Sequence, residues 1–359
     1  MSRRFVWSIP LLGLGIAGCA ATTAPSPPPD ERLVVLNSGD HSLSVIPVDT
    51  SSAIRVIDFA PMAGPGQDLA ARGELAVIAG GTADIVVVVH LVSGQVFRRV
   101  NLPVGSRPTA VALVTDRIAY VANAGTNTVT RVDVFNGDTA TIAVGRFPRD
   151  LLLTRGRLFV VNGNVQPCLE GLCSLGPSWL TVVDPQTNAR AGGRDSIALP
   201  SQGNARSATL GGDGLVYVVH TGALNPEVDG RLTIVDPVDR EEVGSFGGFG
   251  LIPAAVASDG GERLFVASPR DGLMEFNTRT RRVIRGAGEG VAITNNVAVA
   301  VDGRGRVYAI ESGGCGPGSV GRIRIYRPDL TEARGFLLGA CPIAATFVQV
   351  RGLPPTPTN

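Results

Sequence analysis

Lysine is absent from this sequence: all 32 basic side chains are arginine. Arginine codon choice in a GC-rich genome accounts for the bias, yet the consequence is chemical. Schiff-base formation and lysine general-base chemistry have no amine to work with unless a partner brings one. Histidine is scarce, with only His41, His90 and His220, and aromatics make up 5%, which disfavours a sugar-stacking platform. Neither sign of charge dominates. The 32 basic and 31 acidic residues are spread along the chain and form no basic patch, so a nucleic-acid partner has no support. No stretch keeps an apolar repeat of three to four residues, so helices should be few. No Gly-x-Ser-x-Gly nucleophile elbow occurs.

Glycine (46), proline (25) and small or branched apolar residues are plentiful among the 359 residues. That mixture fits many short Val/Ile/Leu/Ala strands separated by tight turns. The chain opens differently. Arg3 and Arg4 precede an apolar run over residues 5–17 that is shorter than the roughly 20 residues a bilayer core needs, and Pro10 and glycines interrupt it. Ile16-Ala17-Gly18-Cys19 resembles the lipobox of bacterial lipoproteins. The resemblance implies a signal peptide over residues 1–18 and a lipidated, palmitate-bearing Cys19. Ala20, which is not aspartate, implies sorting to the outer membrane in a Gram-negative cell. Arg3-Arg4-Phe5 hints at twin-arginine export as a weaker alternative. Residues 19–31 are rich in Pro, Thr and Ala and read as a tether.

Two Gly-x-Gly-x-x-Gly spacings mislead. Gly13-Leu-Gly15-Ile-Ala-Gly18 lies in the signal core. Gly316-Pro-Gly318-Ser-Val-Gly321 leads into a strand, where no helix N-terminus can hold a pyrophosphate.

From residue 32 to 350 one unit recurs. Tyr120-Val-Ala-Asn123-Ala-Gly-Thr-Asn-Thr-Val-Thr-Arg-Val-Asp133 is the clearest copy, and it closely resembles the YVTN-repeat signature. Equivalent strand ends fall at Asn37, Gly80, Asn123, Asn162, His220, Ser268 and Glu311, in steps of 43, 43, 39, 58, 48 and 43 residues. That spacing is the size of a four-stranded propeller blade. The expectation is an all-β, seven-bladed β-propeller of four-stranded antiparallel blades. Its last inner-type strand, Ile343-Ala-Ala-Thr-Phe-Val348, closes the ring in the first blade, leaving a tail at 351–359. Two separate β-domains would need a linker-like break, and none appears.

Beyond Cys19, four cysteines remain in a chain read as exported, so disulfides are the default. Three pairings exist. Cys168 with Cys173 pins the long insertion of the fourth unit, and Cys315 with Cys341 joins two turns on one face beside the closing strand. Zinc fits poorly, since the spacing is not Cys-x2-Cys and no histidine is near.

Propeller ligands usually sit at the axis, where inner strands begin. Aligning the units there gives Gln67, Thr109, Arg149, Arg206, Ala254, Glu289 and Ile343, with Asp68 and Asp150 next in their units. Further out on the same face fall the strand ends, among them His220 and Glu311. Arg149 and Arg206 lie in adjacent blades and either converge on a carboxylate or phosphate or brace turns by pairing with Asp68 or Asp150. A streptogramin-lyase-like metal site would need His220 with Glu289 or Glu311, from separated blades. His41 and His220 lie roughly 150° apart around the ring, and no metal or cofactor is expected. The function expected is a lipid-anchored binding module of the cell envelope, its partner an envelope protein or small ligand. A lactonase- or lyase-like enzyme using the central funnel is the alternative. The loop around Cys168, Cys173 and Trp179 is the candidate outer contact.

Overall fold

A computed structural model describes residues 30–350 of the chain, apart from 49–53, 60–63, 170, 225–226 and 317. Among them the only helical element is a single 3₁₀ turn, Gly81–Ala83. The strands form seven antiparallel blades arranged in a ring, each counted from its innermost strand outward. In blade three, for example, Pro108–Leu113, Ile118–Asn123, Thr128–Asp133 and Thr139–Ala143 follow one another. Blade four departs only at its rim, where Ala189–Arg190 and Ser196–Leu199 divide the outer position. Two small hairpins are added. Val165–Cys168 with Gly171–Ser174 rises from blade four, and Ala223–Leu224 with Glu227–Val228 from blade five.

The second strand of each blade shows why the ring must form. Leu75–Ala79 is buried at every position, and Ile118–Asn123 at all but its first. Such continuous apolar runs leave both faces of the sheet needing cover. Alternate residues take opposite sides, so Ala119 and Val121 pack toward blade two while Tyr120 and Ala122 pack toward blade four. The buried apolar residues fall into seven clusters, one at each blade–blade interface. Each buried large apolar side chain contributes about 1.5–3 kcal/mol, and a blade without neighbours would forfeit this on both faces.

Polar residues at the turns do the work expected of them. Oδ1 of Asp133, Asp184 and Asp236 accepts the N–H of Phe135, Gln186 and Val238 at 3.0, 2.9 and 2.7 Å, starting the hairpin to the outer strand. The fully buried Tyr217 and Tyr308 donate their hydroxyls to Asp213 and Asp302 in the turns just before them, at 2.7 and 3.1 Å.

The chain closes on itself. Pro342–Val350 pairs antiparallel with Asp30–Asn37 and takes the innermost place in blade one. Asp30 and Glu31 belong to this strand, opposite Val350 and Gln349, so the ring begins two residues ahead of the expected edge at 32. The signal at 1–18, Cys19, the tether up to residue 29 and the tail at 351–359 lie outside the described residues. Both disulfides form in the expected pairing, Cys168–Cys173 and Cys315–Cys341. Both stand on the face where inner strands begin.

Candidate functional site

Inner strands enter the sheet through a β-bulge. Arg149 is skipped between the pairs Pro148↔Asn162 and Asp150↔Val161, and Thr109, Arg206, Val297 and Ile343 are skipped in the same way in their own blades. Gln67 and Ala254 hold the same place in blades two and six, each donating its N–H to the second strand at 2.8 Å. A bulge frees one side chain from the ladder and re-aims it, here toward the axis. All seven residues line one open central funnel with a cavity of about 490 Å³.

Glu289 is not among them. The alignment that placed it in blade seven is corrected by the strand Asn296–Val301, whose bulge residue is Val297. Glu289 sits in an exposed turn whose N–H bonds the Gly286 carbonyl, because residues 286–295 cross over blade six, where Val291 bridges to Leu273. The Asp302-Gly turn, which matches Asp259-Gly in the preceding unit, was the signal that would have located Val297.

The funnel wall is polarised. Blades two to five supply Gln67, Asp68, Thr109, Arg149, Asp150, Arg206 and Ser207, with Arg107 at the rim. Blades six, seven and one supply only Ala, Val and Ile, from Ala254–Val256, Val297–Val299 and Ile343–Ala345. On the polar side the carboxylates are committed to neighbouring backbone. Asp68 accepts the N–H of Val111 at 2.9 Å, from blade two to blade three. Asp150 accepts Ala208 N–H at 2.7 Å, from blade four to blade five, and its own Leu151 N–H at 2.7 Å. Thr109 Oγ1 donates to the Pro148 carbonyl at 2.7 Å, which also crosses an interface. Among the described residues neither aspartate forms an ion pair with an arginine, so the bracing is aspartate to amide.

The guanidinium groups differ from each other. Arg149 runs over Gly163, where a Cβ would lie 2.9 Å from its Cδ, and donates Nη1 to the amide oxygen of Asn204 at 2.7 Å. Arg206 has no hydrogen-bond or ion-pair partner among the described residues. Enclosure by the ring shifts Asp68, Arg149, Asp150 and Arg206 toward their neutral forms, although each keeps some contact with water. Burial, then the nearby charge of Asp150, pushes the Asp68 carboxyl up to about 8 against the pull of its amide donors. Burial also raises Asp150. Burial and the like charge of Arg206 bring Arg149 down to about 9, while burial alone lowers Arg206.

The second-strand ends do not reach the funnel. Asn37, Asn123 and Asn162 each donate Nδ2 to Ser or Thr hydroxyls of the adjoining third strand. His220, in the same place, is fully buried, with Nδ1 3.1 Å from the Gly203 carbonyl and Nε2 without a partner. Burial takes its pKa down to about 4, which keeps the ring neutral. Glu311 is held by Arg324 two strands away from the axis. Among the described residues no three His, Cys, Asp or Glu side chains gather closely enough to hold a metal ion. The pinned hairpin leans inward rather than outward, since Leu172 lines the funnel mouth, while Trp179 sits in the third strand of blade four opposite Asn162.

No protein-family model matches the chain, and no curated protein matches its sequence. Among solved structures it is similar to a chain of the Kuenenia stuttgartiensis hydrazine synthase, with a TM-score of 0.59, 13% identity, and coverage of 87% of this chain and 99% of that one. The chain folds as a seven-bladed β-propeller. A likeness at that identity speaks to the fold alone.

Proposed function

We propose that this propeller is a YVTN-type lipoprotein of the cell envelope, tethered through Cys19, and acts as a binding module whose funnel face meets another envelope component. The observation that carries the binding reading is the arginine pair. Two guanidinium groups from adjacent blades face one cavity, and Arg206 has no acid to answer it. An enclosed, unanswered cation costs stability and is well suited to meeting an anion. Holding is favoured over turnover because the funnel carboxyls are occupied with backbone amides and His220 is buried and neutral. The address rests on the lipobox-like Ile16-Ala17-Gly18-Cys19 and the proline-rich segment after it.

Two measurements test this. Mature protein from cells should begin at an acylated Cys19, and Cys19→Ala should leave the membrane fraction; an intact mass that retains residues 1–18 removes the tether. A photo-cross-linking residue at the fully exposed Leu169, on the funnel face, should capture one envelope component in intact cells. The same residue at Asn136, in an exposed turn of the opposite face, should not. Equal capture from both positions, or none, overturns the binding role.

A further inference from the structure

We propose that the central funnel is a site for a small amphiphilic anion, one carboxylate or phosphate group carried on a compact apolar body. Arg149 and Arg206 would take the head group, and the arc of blades six, seven and one would take the body. The proposal rests on the reading of the funnel face as a binding face, and names what the funnel itself would hold.

Three observations carry it. First, the equivalent position at the start of each inner strand holds Gln67, Thr109, Arg149 and Arg206 on one side and Ala254, Val297 and Ile343 on the other, and on both sides it includes β-bulges. The bulge imposes no side chain, so this division is not required by the fold. Second, the cationic groups are held ready but not neutralised. Arg149 is fixed through a neutral amide, whose own Nδ2 donates 2.8 Å to the Gly222 carbonyl, and Arg206 is unpartnered. Third, the carboxyls that could cancel them are turned to backbone N–H groups of the next blade. A raised Asp68 keeps its proton at neutral pH, which leaves Arg107, Arg149 and Arg206 facing the single charge of Asp150. A cavity of about 490 Å³ is of the size that takes a small organic ligand. Leu172, placed at the mouth by the Cys168–Cys173 hairpin, adds an apolar lip.

The experiment is calorimetric titration of the full chain carrying Cys19→Ala, which bears no acyl group and needs no competing detergent. The probes are 4-phenylbutyrate, 4-phenylbutanol, acetate, phenyl phosphate and inorganic phosphate. Expected is binding of 4-phenylbutyrate and phenyl phosphate at least 10-fold tighter than of the alcohol, which lacks the charge, or of acetate and inorganic phosphate, which lack the body. The ratio between the two anions tells carboxylate from phosphate. Arg149→Gln with Arg206→Gln should weaken both amphiphiles about 10- to 100-fold and leave the alcohol unchanged. Val297→Thr with Ile343→Thr, which copies the Thr109 side chain already tolerated at this position, should weaken them about 3- to 10-fold and leave acetate unchanged. Inorganic phosphate binding as tightly as phenyl phosphate, the alcohol binding as tightly as the acid, or affinities indifferent to both double variants would each overturn the assignment. Cross-links at residue 169 that persist while no probe binds would remove this site and leave the envelope reading standing. Probe binding without cross-links would do the reverse.

Discussion

The two arcs of the funnel share one backbone and hold the centre of the ring by different means. In blades two to five the inner strands reach across interfaces with side chains, Asp68 to Val111, Thr109 to Pro148, Asp150 to Ala208 and Arg149 to Asn204. In blades six, seven and one the funnel-lining residues are Ala, Val and Ile, with no polar side-chain atom to offer. There blade seven reaches blade six through one neutral amide, Asn296 Nδ2 donating to the Gly272 carbonyl at 3.0 Å. The crossing from seven to one is covalent, since Cys315 of blade seven is bonded to Cys341 at the start of the strand that completes blade one. The apolar arc thus shows that a blade can close without buried charge. What the polar arc carries beyond Asp-to-amide bracing, above all Arg206, is surplus to the architecture.

Breaking the covalent link should produce the largest effect. Cys315→Ser with Cys341→Ser opens a crossing of 26 residues in sequence, and constraint of the unfolded chain by a loop of that length is worth about 3 kcal/mol. Thermal unfolding should show a drop of that size, with the interface between blades seven and one the first to gain amide exchange. Cys168→Ser with Cys173→Ser, which touches only a hairpin above the ring, should leave the global transition nearly unmoved.

Behind the polar arc, His220 stands where blades one, three and four have asparagine. Its folded pKa of about 4 lies below the ordinary value near 6.5. Between those values the unfolded chain takes up a proton that the fold refuses, so stability is lost as pH falls through this window. His220→Asn should remove that loss, raising stability at pH 5 by about 2 kcal/mol and by much less at pH 7.5. Its Nδ2 would reach Thr233, the counterpart of Thr130 and Thr181, as Asn123 and Asn162 do. Equal acid sensitivity in the variant would show that the titration belongs elsewhere.

Asp68 has the opposite sign. The folded carboxyl keeps its proton to about pH 8, whereas an unfolded aspartate releases it near 4, so the fold binds a proton over that interval and weakens as pH rises through it. The groups facing it are Asp150, Arg107, Arg149 and Arg206. Asp68→Asn keeps an oxygen for the Val111 amide and should flatten the decline. The gain at pH 9 should be on the order of 1–2 kcal/mol, because water in the open funnel screens the charge. Denaturant unfolding at pH 5 and pH 9 would separate this from any effect independent of pH.

The sequence alignment placed six of the seven funnel residues, and Gln67, Thr109, Arg149, Arg206 and Ala254 each lie 13 or 14 residues ahead of the strand end that follows, such as Asn123 or Asn162. It failed at Glu289. There the chain makes a ten-residue detour, 286–295, over blade six, and Gly288-Glu-Gly-Val-Ala-Ile293 imitates the start of an inner strand. Counting back 14 residues from the strand end Glu311, as from Asn123 to Thr109, lands on Val297, and the turn at Asp302 marks the far end of the same strand, so the imitation misled where the spacing did not. The partners of the charged residues were not legible either. Arg149 and Asp150 are adjacent in sequence and both reach toward blade five, but the bulge sets their directions apart. The aspartate therefore faces the amide edge of blade five while the arginine faces Asn204 and the axis. The disulfide pairing could be read because Cys168 and Cys173 share one insertion, while Cys315 and Cys341 flank turns on one face beside the closing strand.

The smallest expected effect separates the two arginines. Arg206→Leu removes an enclosed charge with no partner to lose, and adds to the polar arc the kind of side chain the other arc already uses. The ring should gain about 1 kcal/mol. Arg149→Leu strips the donor from the Asn204 amide oxygen and should cost about 1 kcal/mol. Opposite signs at adjacent, equivalent positions in one fold are a stringent demand, read directly from paired thermal melts at pH 7. If Arg206→Leu also destabilised the ring, the guanidinium would be a brace whose partner forms in solution, and the contrast between the arcs would reduce to two styles of bracing.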